Sequence, residues 1–155
     1  MVRGVWHFSF TVSDLERSVE FYCTLLGMKL VHRQDQDNPY TKKLVGYPDA
    51  SLRVAQLAID GTPAGVSGHV LELVQYVTPV FAPHPPGTAF PNSAHMALVV
   101  DEIQAMYHRL SGAGVRFRSE PVAITAGINE GGFTVYFLDP DGITLELVQP
   151  PQGRF

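Results

Sequence analysis

Leu71-Glu72-Leu73-Val74-Gln75 returns letter for letter as Leu145-Glu146-Leu147-Val148-Gln149, each copy closing an apolar run. An identical pentapeptide at matching places marks an internal duplication, and the rest of the chain is read against it. Upstream of each copy lies a strand-like segment that carries a histidine. These are Trp6-His7-Phe8-Ser9-Phe10-Thr11-Val12 and Ala94-His95-Met96-Ala97-Leu98-Val99-Val100. The chain therefore spells His…Glu twice. Two imidazoles with two carboxylates form a donor set for a divalent metal ion.

Working outward, the same element order can be traced twice. In the first copy, strand 5–12 puts Trp6, Phe8, Phe10 and Val12 on one face and His7, Ser9 and Thr11 on the other. Ser13-Asp14 offers N-caps for a helix with Leu15, Val19, Tyr22 and Leu26 at helical spacing, stopped by Gly27. A strand Met28–Arg33 follows, and His32 stands where it gives way to a polar loop. The stretch Gln34–Ala50, with Asn38-Pro39 and Tyr47-Pro48-Asp49, predicts a long excursion. Strands at 51–60 and 69–77, separated by a turn over Asp60–Gly65, complete the copy.

The second copy is tighter. Strand 94–100 leads to a cap at Asp101 and a helix with Ile103, Met106, Tyr107 and Leu110 on one side, ended by Gly112 and Gly114. Val115-Arg116-Phe117 predicts a strand, and Thr125–Gly132 a loop. A hairpin of strands 133–138 and 143–149 turns at Asp139-Pro140-Asp141-Gly142. The fold class expected is α+β, with two tandem βαβββ modules at 1–78 and 94–155. Between them runs a proline-rich linker, 79–93, with five prolines between Pro79 and Pro91.

Face assignment sharpens the histidine and glutamate reading. In each last strand the leucines share one face, while Glu72 lies between Val70 and Val74, and Glu146 between Thr144 and Val148. A strand apolar on both faces is usually buried on both, and a buried carboxylate needs a partner. Taken singly, each of the four residues reads as a solvated or satisfied position. At matching places of a duplicated unit, a shared cation is the better reading, because it satisfies all four together. His69, His84 and His108, like His32, have no counterpart in the other copy and read as surface residues.

Composition narrows the class. With 45% hydrophobic and 17% charged residues over 155 positions the chain is globular rather than disordered. A net charge of −4 without a basic patch gives no footprint for nucleic acid. No apolar run reaches the ~20 residues of a membrane span. The single Cys23, and an N-terminus that enters a strand directly, predict a reducing, cytoplasmic setting.

These residues resemble the vicinal oxygen chelate superfamily, which includes glyoxalase I, methylmalonyl-CoA epimerase, extradiol dioxygenases and bleomycin-resistance proteins. The likeness covers nearly the whole chain. It rests on His7 through Leu15 with Phe21-Tyr22 and Leu26-Gly27-Met28, on His95 through Asp101, and on Leu138-Asp139-Pro140-Asp141-Gly142 through Glu146. The resemblance implies paired βαβββ units curled around one divalent metal (Ni, Co, Zn or Mn), with His7, Glu72, His95 and Glu146 as ligands. It implies a lyase or isomerase that moves a proton through a metal-stabilised enediolate on a small α-oxygenated carbonyl or thioester, with Glu146 or Glu72 as base and acid. Ser9, Thr11, Tyr136 and Asn129 are expected in the substrate pocket, and a homodimer is expected to cover the sheet edges. Bacterial glyoxalase I enzymes usually carry Arg and Asn for glutathione where this chain has Thr11 and Tyr76, so glutathione adducts are poorly matched.

Two other readings stand beside this one. Tyr136 through Glu146 is similar to the closing half of the Fe(II) extradiol dioxygenase signature, but Ala126 through Gly132 lacks that group's histidine, and Glu72 adds a carboxylate. A non-catalytic drug-binding cup is the second alternative, and the intact donor set weighs against it.

Overall fold

Alternation at the two histidine segments and at the two pentapeptides becomes paired strands in the computed structural model, which describes residues 1–61, 68–85 and 87–154. The chain divides into two units, Met1–Pro83 and His84–Phe155. The first contains β1 (Phe8–Thr11), α1 (Leu15–Glu20) running into a π-helical turn (Phe21–Leu25), β2 (Lys29–Gln36), α2 (Pro39–Val45), β3 (Ser51–Ala58) and β4 (Val70–Thr78). Its sheet has the order β1-β4-β3-β2, with β1 parallel to β4 and the other pairs antiparallel.

The second unit contains β5 (His95–Val99), α3 (Ile103–Gly112), β6 (Arg116–Phe117), β7 (Val122–Ala123), β8 (Phe133–Leu138) and β9 (Thr144–Gln149). Its order, β5-β9-β8-β6 with β7 also on β8, repeats the first, and β5 is again parallel to β9. The fold class is the expected one, α+β with two sheets built from tandem βαβββ units.

Each letter of the repeated pentapeptide does the same work twice. Leu71, Leu73, Leu145 and Leu147 are buried on the helix-bearing face. Val74 and Val148 accept the N–H groups of Val12 and Val100, both at 2.9 Å, which carries each first strand into its helix. Gln75 Oε1 accepts the Leu15 N–H at 3.1 Å, and Gln149 Oε1 accepts the Ile103 N–H at 2.8 Å. Leu15 and Ile103 open their helices at 2% and 1% exposure, so water cannot satisfy these N–H groups. A side chain from the last strand does so instead, locking helix to sheet.

Several local expectations need correction. Asp14 caps α1 through the Glu16 and Arg17 N–H groups, as its position predicts. Asp101, however, is not the cap of α3: Glu102 holds that place without a side-chain bond, because Gln149 already serves the helix end. The excursion after β2 is not all loop. Asn38 caps α2 by accepting the Thr41 N–H at 2.9 Å, Pro39 opens that helix, and Gly46 closes it at φ +80°. The second strand runs on to Gln36, so His32 lies inside it. The first strand is shorter than expected, and Phe8 is 54% exposed rather than covered, because α1 packs mainly over β3 and β4. From Thr62 on, the turn expected over Asp60–Gly65 lies outside the described residues.

The second hairpin turns where its sequence predicts. Buried Asp139 accepts the Asp141 and Ile143 N–H groups at 2.9 and 2.8 Å, and Gly142 takes φ +85°. Gly132 admits no side chain at the start of β8, since a Cβ there would stand 2.4 Å from the Gln149 carbonyl oxygen.

Removing either glutamine leaves a buried helix N–H without a partner. Gln149→Ala and Gln75→Ala should each cost about 1–3 kcal/mol, read as a lower urea midpoint at unchanged slope. Midpoints equal to that of the parent chain would contradict this role.

Candidate metal and active site

The parallel ladders set the site. Ser9 lies opposite Glu72 on β1–β4, and Ala97 lies opposite Glu146 on β5–β9. Side chains two residues apart on a strand share a face, so His7 and His95 fall on the glutamate side in the same relative register. His7 Nε2 stands 3.6 Å from Glu72 Oε1, and His95 Nε2 stands 3.2 Å from Glu146 Oε2. The glutamate side chains are 17% and 16% exposed, the histidines 32% and 40%. Each pair is thus half-sunk in its sheet and open on one side. His7 Nδ1 is buried without a hydrogen-bond partner among the described residues.

The second oxygen of each glutamate is held from the neighbouring antiparallel strand. Gln56, opposite Glu72, donates its Nε2–H to Glu72 Oε2 at 3.1 Å. The Thr134 hydroxyl donates to Glu146 Oε1 at 2.5 Å and also lies 3.0 Å from the Leu147 carbonyl oxygen. Gln56 and Thr134 are absent from the residues expected at the site. In the second hairpin the Asp139–Gly142 turn fixes the register, so Thr134 could have been found by counting back from it. In the first hairpin, the long connection between β3 and β4 offers no such count.

Among the expected pocket residues, Tyr136 lies opposite Glu146, its ring 5.2 Å from that of His95 at 78°. Burial first, and the Glu146 charge second, push its phenol above the ordinary tyrosine value. Ser9 and Thr11 share the Glu72 face and are exposed. Asn129 is different: its carbonyl accepts the Gly132 N–H at 3.0 Å within its own loop, and it makes no hydrogen bond to His95, Tyr136 or Glu146 among the described residues.

A wall flanks the first pair. Tyr47, just beyond α2, meets Tyr76 edge-on at 6.1 Å and Phe81 at 5.7 Å. Tyr76 falls on the Glu72 face, and burial, then Tyr47, raises its phenol pKa. The strongest charge cluster lies on the other face of the same sheet. Glu16 on α1 accepts from Arg33 at 2.7 Å and Arg53 at 2.7 Å, and the Arg33 hydrogen bond leads the effects that lower its carboxyl pKa. A recess of about 280 Å³ lined by Leu15, Arg33, Gln34, Asp35, Arg53 and Val54 includes no member of either pair.

The donor chemistry can be tested against a divalent ion. Ligands about 2.1 Å from one ion stand roughly 3.0 Å apart at neighbouring octahedral vertices and roughly 3.4 Å apart at tetrahedral ones. The observed N···O separations, 3.2 and 3.6 Å, sit close to that range. Each pair therefore fits as a two-donor half-site. Among the described residues no three His, Cys, Asp or Glu side chains gather at one point, so a pair is what each unit supplies.

Comparison with known proteins agrees with this architecture. The family model described as Glyoxalase/Bleomycin resistance protein/Dioxygenase superfamily matches residues 4–147. A 2-epi-5-epi-valiolone epimerase from an Actinomyces species is 32% identical over 97% of this chain and 81% of its own length. A lactoylglutathione lyase from Escherichia coli O157:H7 is 32% identical over 92% of this chain and 90% of its own length. The crystal structure of a glyoxalase family protein from Bacillus cereus superposes with a TM-score of 0.82 at 20% identity, covering 97% of this chain and 96% of that one. With its duplicated fold, its matched histidine–glutamate pairs and these relatives, the chain belongs to the Glyoxalase/Bleomycin resistance protein/Dioxygenase superfamily and is an enzyme of the lyase and isomerase kind found there.

Proposed function

We propose that the chain is a divalent-metal-dependent isomerase or lyase that moves a proton next to a carbonyl, with His7, Glu72, His95 and Glu146 as ligands of one ion. The observation that carries this reading is the identical placement of the two pairs: the same register, the same face, and N···O separations close to those of neighbouring ligands. A relative named as an epimerase and others named as lyases support proton transfer as the common step. The chain is read as a homodimer, in which a second copy covers exposed apolar groups such as Trp6 and Phe8.

When bound, the ion supplies Lewis acidity toward a carbonyl and an adjacent oxygen of the substrate. The protein's own groups do the rest. Glu146, seated beside Tyr136 and His95, takes the proton on the carbon next to the carbonyl and returns it to a neighbouring position or the opposite face. Thr134 and Gln56 hold the second oxygens of Glu146 and Glu72, so each carboxylate keeps one oxygen turned toward its histidine. Tyr136 walls the second pair and offers a phenolic donor at the substrate side. An iron-dependent ring cleavage is the less favoured chemistry, because a four-ligand set exceeds two histidines and one carboxylate.

Glu146→Gln should abolish turnover while leaving the circular dichroism spectrum and melting temperature close to the parent; full activity would remove Glu146 from the reaction. Thr134→Val and Gln56→Ala should weaken metal binding about 10–100-fold by calorimetry. Unchanged affinity in both would show that these contacts do not organise the ligands. Atomic absorption after dialysis should find one metal ion per chain, lost with activity on chelation and restored with it.

A further inference from the structure

Four residues beyond each glutamate the two units differ. After Glu146 that place is Pro150, just past the end of β9; after Glu72 it is Tyr76, still inside β4. Tyr76 shares the Glu72 face, with Val74 between them, and by strand rise it stands roughly 13 Å along from the glutamate. β4 is an interior strand, so this ring rises from the middle of the sheet and not from its edge. Tyr76 lies opposite Leu52 and Val74 opposite Val54, two residues only 4% and 3% exposed. Around Glu72 the face is polar, with Ser9 and Gln56 opposite it. From Val74 onward the paired positions of β3 and β4 on this face are apolar or aromatic.

At Tyr76 three stretches of chain meet. Tyr47 follows the C-cap of α2 and is set by a turn in which its carbonyl accepts the Ala50 N–H at 3.2 Å. Its ring meets that of Tyr76 at 88° and that of Phe81, just beyond β4, at 47°. The three rings form an open corner: Tyr47 and Phe81 are 37% and 68% exposed, and Tyr76 is half-buried. Aromatic faces left open beside a polar site mark a surface that a ligand covers. Perpendicular and tilted rings suit a further ring packed edge-on or offset against them. The homodimer proposed above covers Trp6 and Phe8 at the β1 edge, which leaves the mid-sheet corner to a molecule lying along the Glu72 face.

Resting on the proton-transfer reading above, we infer that the substrate carries an aromatic arm. Its oxygenated carbonyl head lies beside Glu72, and the arm runs over Val74 into the corner of Tyr47, Tyr76 and Phe81, which are its specificity-determining contacts.

Two hydroxymethyl ketones test this on the metal-loaded full chain in D2O: hydroxyacetone, and the same head carrying a phenyl ring at the end of a four-carbon chain. Exchange of the protons beside the carbonyl is followed by NMR. The armed ketone is expected to show a KM at least about thirtyfold below that of hydroxyacetone. Tyr47→Ala and Phe81→Ala, both at exposed positions, should each shrink that ratio about three- to tenfold, whereas Tyr76→Phe, which keeps the ring, should preserve it. A ratio near one, or a ratio that neither alanine variant changes, would overturn the arm and leave the proton transfer standing. Alanine variants that instead turn a dimer into a monomer in sedimentation, with the ratio intact, would assign the corner to a second copy and overturn the inference. Exchange with neither ketone, from protein that holds its metal, would overturn the reaction and this inference together.

Discussion

A carboxylate in the middle of an otherwise apolar strand must be met by something, and that requirement organises both halves of the molecule. Glu72 and Glu146 are each flanked along the strand by fully buried leucines, so their positions cannot drift without breaking the core. The parallel first strand brings a histidine to one oxygen, and the antiparallel neighbour brings a hydroxyl or carboxamide to the other. Leucine packing thus fixes the site's geometry from behind, while the polar partners fix it from the front. The glutamine that ends each pentapeptide ties the same strand to the start of the helix.

Duplication kept the frame and let the surroundings diverge. Strand order, parallel register and the histidine–glutamate offset are the same in both units. What stands opposite each glutamate is not: Gln56 in the first, Tyr136 in the second. The first glutamate thus has a carboxamide across from it and the second a phenol.

Much of this was legible in the sequence for a physical reason. The pentapeptide repeat, the alternation of 95–99 and the Asp139–Gly142 turn each encode local geometry, and the β8–β9 hairpin fell where they predict. What escaped depends on partners far along the chain. Asp101 has the local signature of a cap, yet Gln149, 46 residues beyond Ile103, already satisfies the first N–H of the helix. Phe8 follows the alternation pattern of a covered residue, but where α1 settles decides its exposure. Asn38-Pro39 carries two signals, turn and helix start, and only the downstream packing of Thr41, fully buried, selects the helix. Gln56 looked like an ordinary polar strand residue, because its contact with Glu72 spans a connection whose length sequence alone does not convert into register.

The two pairs acting on one cation is the claim from which the proposed chemistry follows, and X-ray absorption on metal-loaded protein tests it most directly. Nitrogen and oxygen ligands at about 2.0–2.2 Å, with outer scattering from two imidazoles per ion falling to one in both His7→Ala and His95→Ala, are the expected result. A coordination sphere without imidazole, or one that either substitution leaves untouched, would contradict it.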